Sequence, residues 1–557
     1  MLSNSSNTLP DTIGGNGIFS LKSLPRFVVS AVLALVVYVL VTRVINPGFF
    51  DPLVPNHSDT WRYFAYSKSD FSLADLQAPR PLMLIALKLM GMLDSFSWFV
   101  AFVLAPAVLL PVALLRSAEI VLERRVSWLL QAAYFALCFS LASFYELQTL
   151  DFGGCIAGLV ACAALLAFRR LALSLKADKA TIGNYVVPFL LVWVSMECKP
   201  TYGLVLAAVP LFFSAMVGWR RSLLQAAGVV AVVMMVLLKD RLLGSPFVGA
   251  DPSASAASYR LGGGLGLMLN ALWFYVKAML PMWAWPLVLL GLYGAAREKG
   301  LWTAATLLVL AVLAVAPMIA IPNNQMPMYS WFGASLLLLP VALFTATRLQ
   351  HQSRLLSLGK STLFWMLMLA AIVAIARSKQ DLRFWYGFNQ KANAQTLQGI
   401  DALANRMLPG QRILIAGPLN AHSPFRNDDF INLRLGYSVD WTIVVPEQHT
   451  SLMPFSDSRR HVASRDLGEI STYDVVALFN ESGRLVHVGS GAEFADLTKP
   501  ELINQLLCRQ GGKVDTLKEV ACLTPLNEDA AARAAQAPQA AAAVTSEEGV
   551  VAPPGAQ

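Results

Sequence analysis

Apolar runs of near-bilayer length, separated by short polar joints, fill the chain from about residue 27 to about residue 377. Crossing the hydrocarbon core takes roughly 20 residues of α-helix. The runs read as about eleven spans, near 27–46, 95–115, 127–145, 153–169, 184–198, 201–218, 222–238, 278–296, 301–320, 330–347 and 362–377. Two further apolar segments, 81–93 and 265–277, have the length of short interfacial helices. Glu197, Lys199 and Pro200 interrupt the fifth and sixth runs. The predicted fold class is an α-helical polytopic membrane protein.

The polar joints are of two alternating kinds. One set is rich in Arg and Lys (Arg116, Arg124, Arg125, Arg169, Arg170, Arg220, Arg221, Arg297, Lys299 and Lys360 among them). The other holds Asp59, Asp70, Glu146, Asp151, Asp240 and Asp251 with fewer bases. Basic residues of short loops stay cytoplasmic, whereas acids contribute little. The N-terminus is therefore expected on the cytoplasmic side of an inner (cell) membrane, and an odd number of spans leaves the C-terminal region periplasmic or otherwise extracytoplasmic. Residues 1–26 are polar, and the run after them is full length, as expected of a signal anchor.

The pattern changes near residue 378. Short β-type runs at 412–416, 441–445, 475–479 and 485–488 follow a helical pattern at 394–407, which Pro409-Gly410 ends. This predicts a small α/β domain over 378–526, after a transmembrane unit over 27–377 whose first outer loop is 47–80. Residues 527–557 are rich in Ala, Pro, Gln and Glu and read as a disordered tail.

Composition adds little to this picture and excludes one class. The chain of 557 residues is 56% hydrophobic and 14% charged, with mean hydropathy +0.54. Its net charge of +8 suits nucleic acid, but the bases sit in short interspan loops, so no nucleic-acid partner is expected. Of six cysteines, Cys138, Cys155, Cys162 and Cys198 fall in or beside spans, and none has zinc-site spacing. Cys508 and Cys522 lie in the outer domain; they read either as a disulfide suited to an oxidising compartment or as two unrelated thiols.

Candidate chemistry concentrates on the acidic side. The first outer loop carries Asp59, Trp61, Arg62, Tyr63, Tyr66 and Arg80-Pro81. A carboxylate there can take a proton from an acceptor hydroxyl or orient it, and the rings of Trp61 and Tyr63 can carry a sugar face. The plainer alternative is a solvated loop whose acids cap short helices. Glu146 to Asp151 forms a second acidic turn on the same side, and Glu197-Cys198-Lys199-Pro200 a third. Ionisable groups at membrane depth are costly and point to function. Lys199 can neutralise a lipid-linked phosphate as a compact charge; alternatively Glu197 and Lys199 form a surface pair. Lys239 to Arg260 reads as a long outer loop, and Tyr329 stands just before the tenth run.

Three stretches, in this order, resemble the GT-C superfamily of integral membrane glycosyltransferases, which includes the lipid A aminoarabinose transferases and the protein O-mannosyltransferases. They are Ser58-Asp59-Thr60-Trp61-Arg62-Tyr63 with Arg80-Pro81, the turn Glu146–Asp151, and Lys199-Pro200-Thr201-Tyr202-Gly203. The resemblance covers roughly residues 27–350. It implies a sugar donor on a polyprenyl phosphate, an outer glycan, lipid or protein acceptor, and inverting displacement. Asp59 would be the catalytic base or acceptor-orienting group, with Lys199, Arg80 and Arg260 on the donor phosphate. Glu146, Asp151, Trp61, Tyr63 and Tyr329 would position substrate. The chain departs from the family in its lone first-loop acid and in lacking an Arg-Tyr before the tenth run. Some members use a divalent metal and others do not; no His cluster here calls for one. The rival readings are a transporter or flippase of lipid-linked glycan and a glycan polymerase or ligase.

Overall fold

The computed structural model describes residues 24–47, 58–71, 80–93, 96–242, 264–321, 325–344, 355–382, 389–404, 406–416, 428–445, 461–463, 467–479 and 483–494. Its first helices are α1 (Leu24–Ile45), α2 (Ser58–Lys68), α3 (Pro81–Met90), α4 (Phe96–Val121), α5 (Trp128–Ser140), α6 (Ala142–Leu150), α7 (Phe152–Lys176) and α8 (Ile182–Cys198). There follow α9 (Gly203–Phe212), α10 (Ser214–Val217), α11 (Trp219–Leu242), α12 (Leu265–Met279), α13 (Trp285–Lys299), α14 (Leu301–Ile319), α15 (Trp331–Phe344) and α16 (Leu355–Leu382).

Among the described residues seven segments are long and apolar enough to cross a membrane, and an eighth if α12 and α13, bent by 67°, count as one span. The sequence pattern expected about eleven. The difference lies partly in α5 and α8, apolar helices of only 13 and 17 residues. The run at 127–145 is not one span, because Leu141 is extended (φ −73°, ψ 133°) and separates α5 from α6. Carbonyls freed by such a break must find donors in an apolar surrounding. Three of them do: Trp331 Nε1 donates to the Cys138 carbonyl at 2.9 Å, and the hydroxyls of Ser140 and Ser378 donate to the Leu137 and Ser140 carbonyls.

Ion pairs at the helix ends fall into two sets. On the arginine-rich face Arg26 and Arg116 both bind buried Glu119, Arg124 pairs with Glu298, and Arg169 pairs with Glu123. On the other face Lys199 pairs with Asp151 and Lys239 with Glu197. Between them lies a core from α1 and α4 to α16, with α15 buried along its whole length.

The C-terminal part holds α17 (Asn389–Ala404), β1 (Arg412–Ala416), α18 (Asp428–Leu435), β2 (Asp440–Val445), β3 (His461–Ala463), β4 (Val475–Phe479) and β5 (Leu485–Gly489). The strands make one sheet in the order β3-β2-β1-β4-β5, parallel except for antiparallel β5. Strands β1 and β4 are almost wholly buried, as expected of a parallel sheet covered on both faces. All four β-type runs seen in the sequence are strands; β3, three residues long, has too short a pattern to read. α18 rests on α2, and one apolar cluster joins Phe64, Met83, Leu87 and Phe99 to Ile431, Trp441 and Phe479. The α/β domain thus sits directly on the first-loop helix.

Candidate functional site

The joint between α8 and the next span is built by proline chemistry. A residue before proline is pushed out of the helical region, and Lys199 before Pro200 is extended (φ −165°, ψ 127°). Pro200 opens a 3-10 turn, Pro200–Tyr202, that leads into α9. The Lys199 side chain is thereby turned off the helix into the protein. Its Nζ lies 2.6 Å from Asp151 Oδ1, with both side chains 6% exposed. The ammonium also stands 4.8 Å from the centroid of the Tyr329 ring, a cation–π contact.

Asp151 does two things. Its Oδ1 accepts from the Gly154 N–H at 2.8 Å and so caps α7, and the same carboxylate holds Lys199. Gly153 and Gly154 keep this contact uncrowded. A Cβ on Gly153 would stand 3.0 Å from the Cys198 carbonyl oxygen and closer still to Met83 Sδ, and one on Gly154 would collide with the Asp151 carboxylate. Lys199 lies in the non-helical joint outside the spans. Burial pushes its ammonium below the ordinary lysine value, Asp151 opposes that shift, and nearby Arg80 adds to it.

A second charged group lies beside the first. Glu197, the penultimate residue of α8, is bound by Lys239 of α11, whose ammonium is also 3.6 Å from Asp240 Oδ1. Glu197 therefore pairs with Lys239 and not with Lys199, correcting the surface pair entertained from the sequence. Lys239 and Asp240 are also helical, since α11 continues to Leu242 where an outer loop was expected. The signal was available: a Lys-Asp pair ending an apolar run on the side where Glu197 ends another. Arg80 acts electrostatically on both Lys199 and Asp240, so it belongs to this cluster.

The first-loop residues form the roof. Arg80 is the N-cap residue of α3, and α2 packs against α3, α6 and α18. Tyr63 is half-buried against the apolar cluster shared with the α/β domain. The C-terminal ends of α2 and α3 are tied reciprocally. Lys68 donates to the Gly91 and Leu93 carbonyls at 2.8 Å, and Lys88 donates to those of Ser69 and Asp70 at 2.8 and 2.9 Å. Each lysine thus satisfies carbonyls just beyond the other helix or its own partner's end, as cations at helix C-termini do.

Asp59 and Trp61 are placed by backbone in the first turn of α2, and Glu146 by backbone in α6. Arg260, Cys508 and Cys522 lie outside the described residues. The structure thus brings Lys199, Asp151, Tyr329 and Arg80 together, and sets the α2 helix bearing Asp59 against α6, which Asp151 follows directly. Among the described residues no group of three or more His, Cys, Asp or Glu side chains is gathered as a metal site would need. No family model, curated protein or solved structure matches the chain.

Proposed function

We propose that the chain is a GT-C-type membrane glycosyltransferase that moves a sugar from a polyprenyl-phosphate donor to an extracytoplasmic glycan, lipid or protein acceptor. What carries this reading is one assembly. The Asp59-bearing helix, the Asp151–Lys199 pair, Tyr329 and Arg80 share one end of an apolar helix bundle, under a soluble domain. A lipid-linked substrate needs such a place, where the tail stays in the bilayer and the headgroup meets fixed charges.

In the proposed reaction the acceptor oxygen attacks the anomeric carbon from the face opposite the phosphate. The new C–O bond forms as the bond from that carbon to the phosphate oxygen breaks, inverting the centre. Asp59 takes the acceptor proton, and the electron pair leaves on the polyprenyl phosphate. Arg80 and Lys199 stabilise the growing charge there as fixed cations. Because Lys199 is already held by Asp151, it acts as part of that pair and not as a free ammonium. Arg260 keeps the donor role that the resemblance gives it.

Asp59→Asn tests this reading in proteoliposomes supplied with a labelled polyprenyl-phosphoryl sugar. The expected result is normal insertion with transfer reduced about 100-fold or more, the scale of losing a general base. Full transfer by the variant would remove Asp59 from the mechanism. The bent pair α12–α13 favours a second reading, a flippase, because broken helices line transport paths. That reading expects lipid translocation, unaffected by Asp59→Asn, and no transfer by the wild type.

A further inference from the structure

Asp240 presents a problem that the proposed reaction leaves unsolved. The residue is 4% exposed, and its Oδ1 has no hydrogen-bond partner among the described residues. Lys239 Nζ is 3.6 Å from that oxygen, beyond hydrogen-bond range, because the ammonium is turned to Glu197. An ionised carboxylate only accepts hydrogen bonds, and a buried acceptor left unmade is costly enough to need an explanation.

The neighbourhood limits what can donate to that oxygen. A phosphate brings no donor and meets two carboxylates, Glu197 and Asp240. An isoprenoid chain has no polar hydrogen. A bound cation would want a denser ligand set than the described residues gather here. A hydroxyl, of a ligand or of water, fits: it donates to Asp240, and its oxygen can accept from the Lys239 ammonium, whose side chain is 32% exposed. Arg80, which acts on both Asp240 and Lys199, connects this position to the Asp151–Lys199 pair.

We infer that Asp240 and Lys239, held by Glu197, form a hydroxyl-recognising subsite for the sugar of the lipid-linked donor. The inference rests on the glycosyl-transfer reading and adds the place where the sugar, as distinct from its phosphate, is recognised. Asp240 is then a specificity residue and Glu197 a positioning residue that fixes the Lys239 ammonium.

The experiment uses the full chain in nanodiscs. Binding of bare undecaprenyl phosphate is compared with that of undecaprenyl phosphate carrying glucose, mannose or arabinose. The wild type should bind at least one glycosylated lipid about tenfold more tightly than the bare lipid, the scale of one hydrogen bond to a buried charge. Asp240→Asn should abolish that preference and leave the bare lipid unchanged. A preference that survives in Asp240→Asn, or a wild type with no preference, overturns the inference and leaves the transfer reading standing. Failure to bind any of the lipids overturns both. Independently of any variant, an apolar carbodiimide should label Asp240 in the wild type, and the preferred glycosylated lipid should protect it where the bare lipid does not. Equal protection by the two would show that tail or phosphate covers Asp240, against the inference.

Discussion

At the scale of single residues, the Asp151–Lys199 pair is the clearest case of a side chain with two obligations. Removing one partner of a buried pair strands the other charge, which costs about 3–5 kcal/mol. Lys199→Met and Asp151→Asn are each expected to lower stability on that scale, with Asp151→Asn retaining part of its cap. The double variant should lose much less than the sum of the two singles, by several kcal/mol, in a double-mutant cycle read by reversible unfolding in detergent. Additive losses would mean that the two side chains do not depend on each other. Much of this group was visible beforehand. Asp151, Lys199, Arg80 and Tyr329 are conspicuous because polar residues are few near spans, and topology put the first two on one side. Their pairing was not visible, because it depends on Pro200 turning Lys199 inwards and on Gly153 letting α7 approach α8. Glu197 accordingly looked like the partner of its neighbour in sequence, whereas helical geometry gave it to Lys239.

At the scale of elements, apolar periodicity located helices well and their breaks poorly. A continuous apolar run looks the same whether or not one residue in it is extended, so the break at Leu141 leaves no mark in the sequence. What permits that break is remote in sequence: Trp331 and Ser378 supply donors for carbonyls in α5. Close helix contacts are similarly silent. At Gly291 of α13 a Cβ would stand 2.6 Å from the Val341 nitrogen and 2.7 Å from the Pro340 carbonyl carbon in α15. Backbone cannot yield as a flexible side chain does. Gly291→Ala should therefore cost about 1–3 kcal/mol, the range for overpacking, and lower the thermal midpoint in detergent. A variant as stable as the wild type would show that α13 and α15 are not in backbone contact there. In the C-terminal domain, four short β-rich runs bounded by turn residues were enough to place four strands. Their parallel order follows from crossovers that no local pattern encodes.

At the scale of the whole molecule, the α/β domain and the α2–α3 roof occupy one end, and the Arg26–Glu119–Arg116 knot the other. The basic loops lead one to expect two unlike sides, since Arg and Lys are segregated along the sequence itself. The seating of the domain on α2 was not predicted, because apolar residues such as Phe64 on α2 and Ile431 on α18 reveal their partners only once both helices exist. The division can be read from intact cells. With Cys508 and Cys522 replaced by Ser, a membrane-impermeant maleimide should label Ala402→Cys in α17. It should reach Arg125→Cys, next to the Glu119 knot, only after permeabilisation. The opposite labelling would invert the orientation drawn from the basic loops.

Charge bookkeeping at the roofed end has an evolutionary corollary. Among the described residues, Asp151, Glu197 and Asp240 stand near Lys199, Lys239 and Arg80 in one largely buried cluster. Random libraries opened at one codon of the Asp151–Lys199 or Glu197–Lys239 pair should return few survivors, whereas libraries that randomise an acid together with its facing base should return many. Lineages descending from this chain would then cross to new specificities by paired replacements, with the intermediate single changes seldom seen.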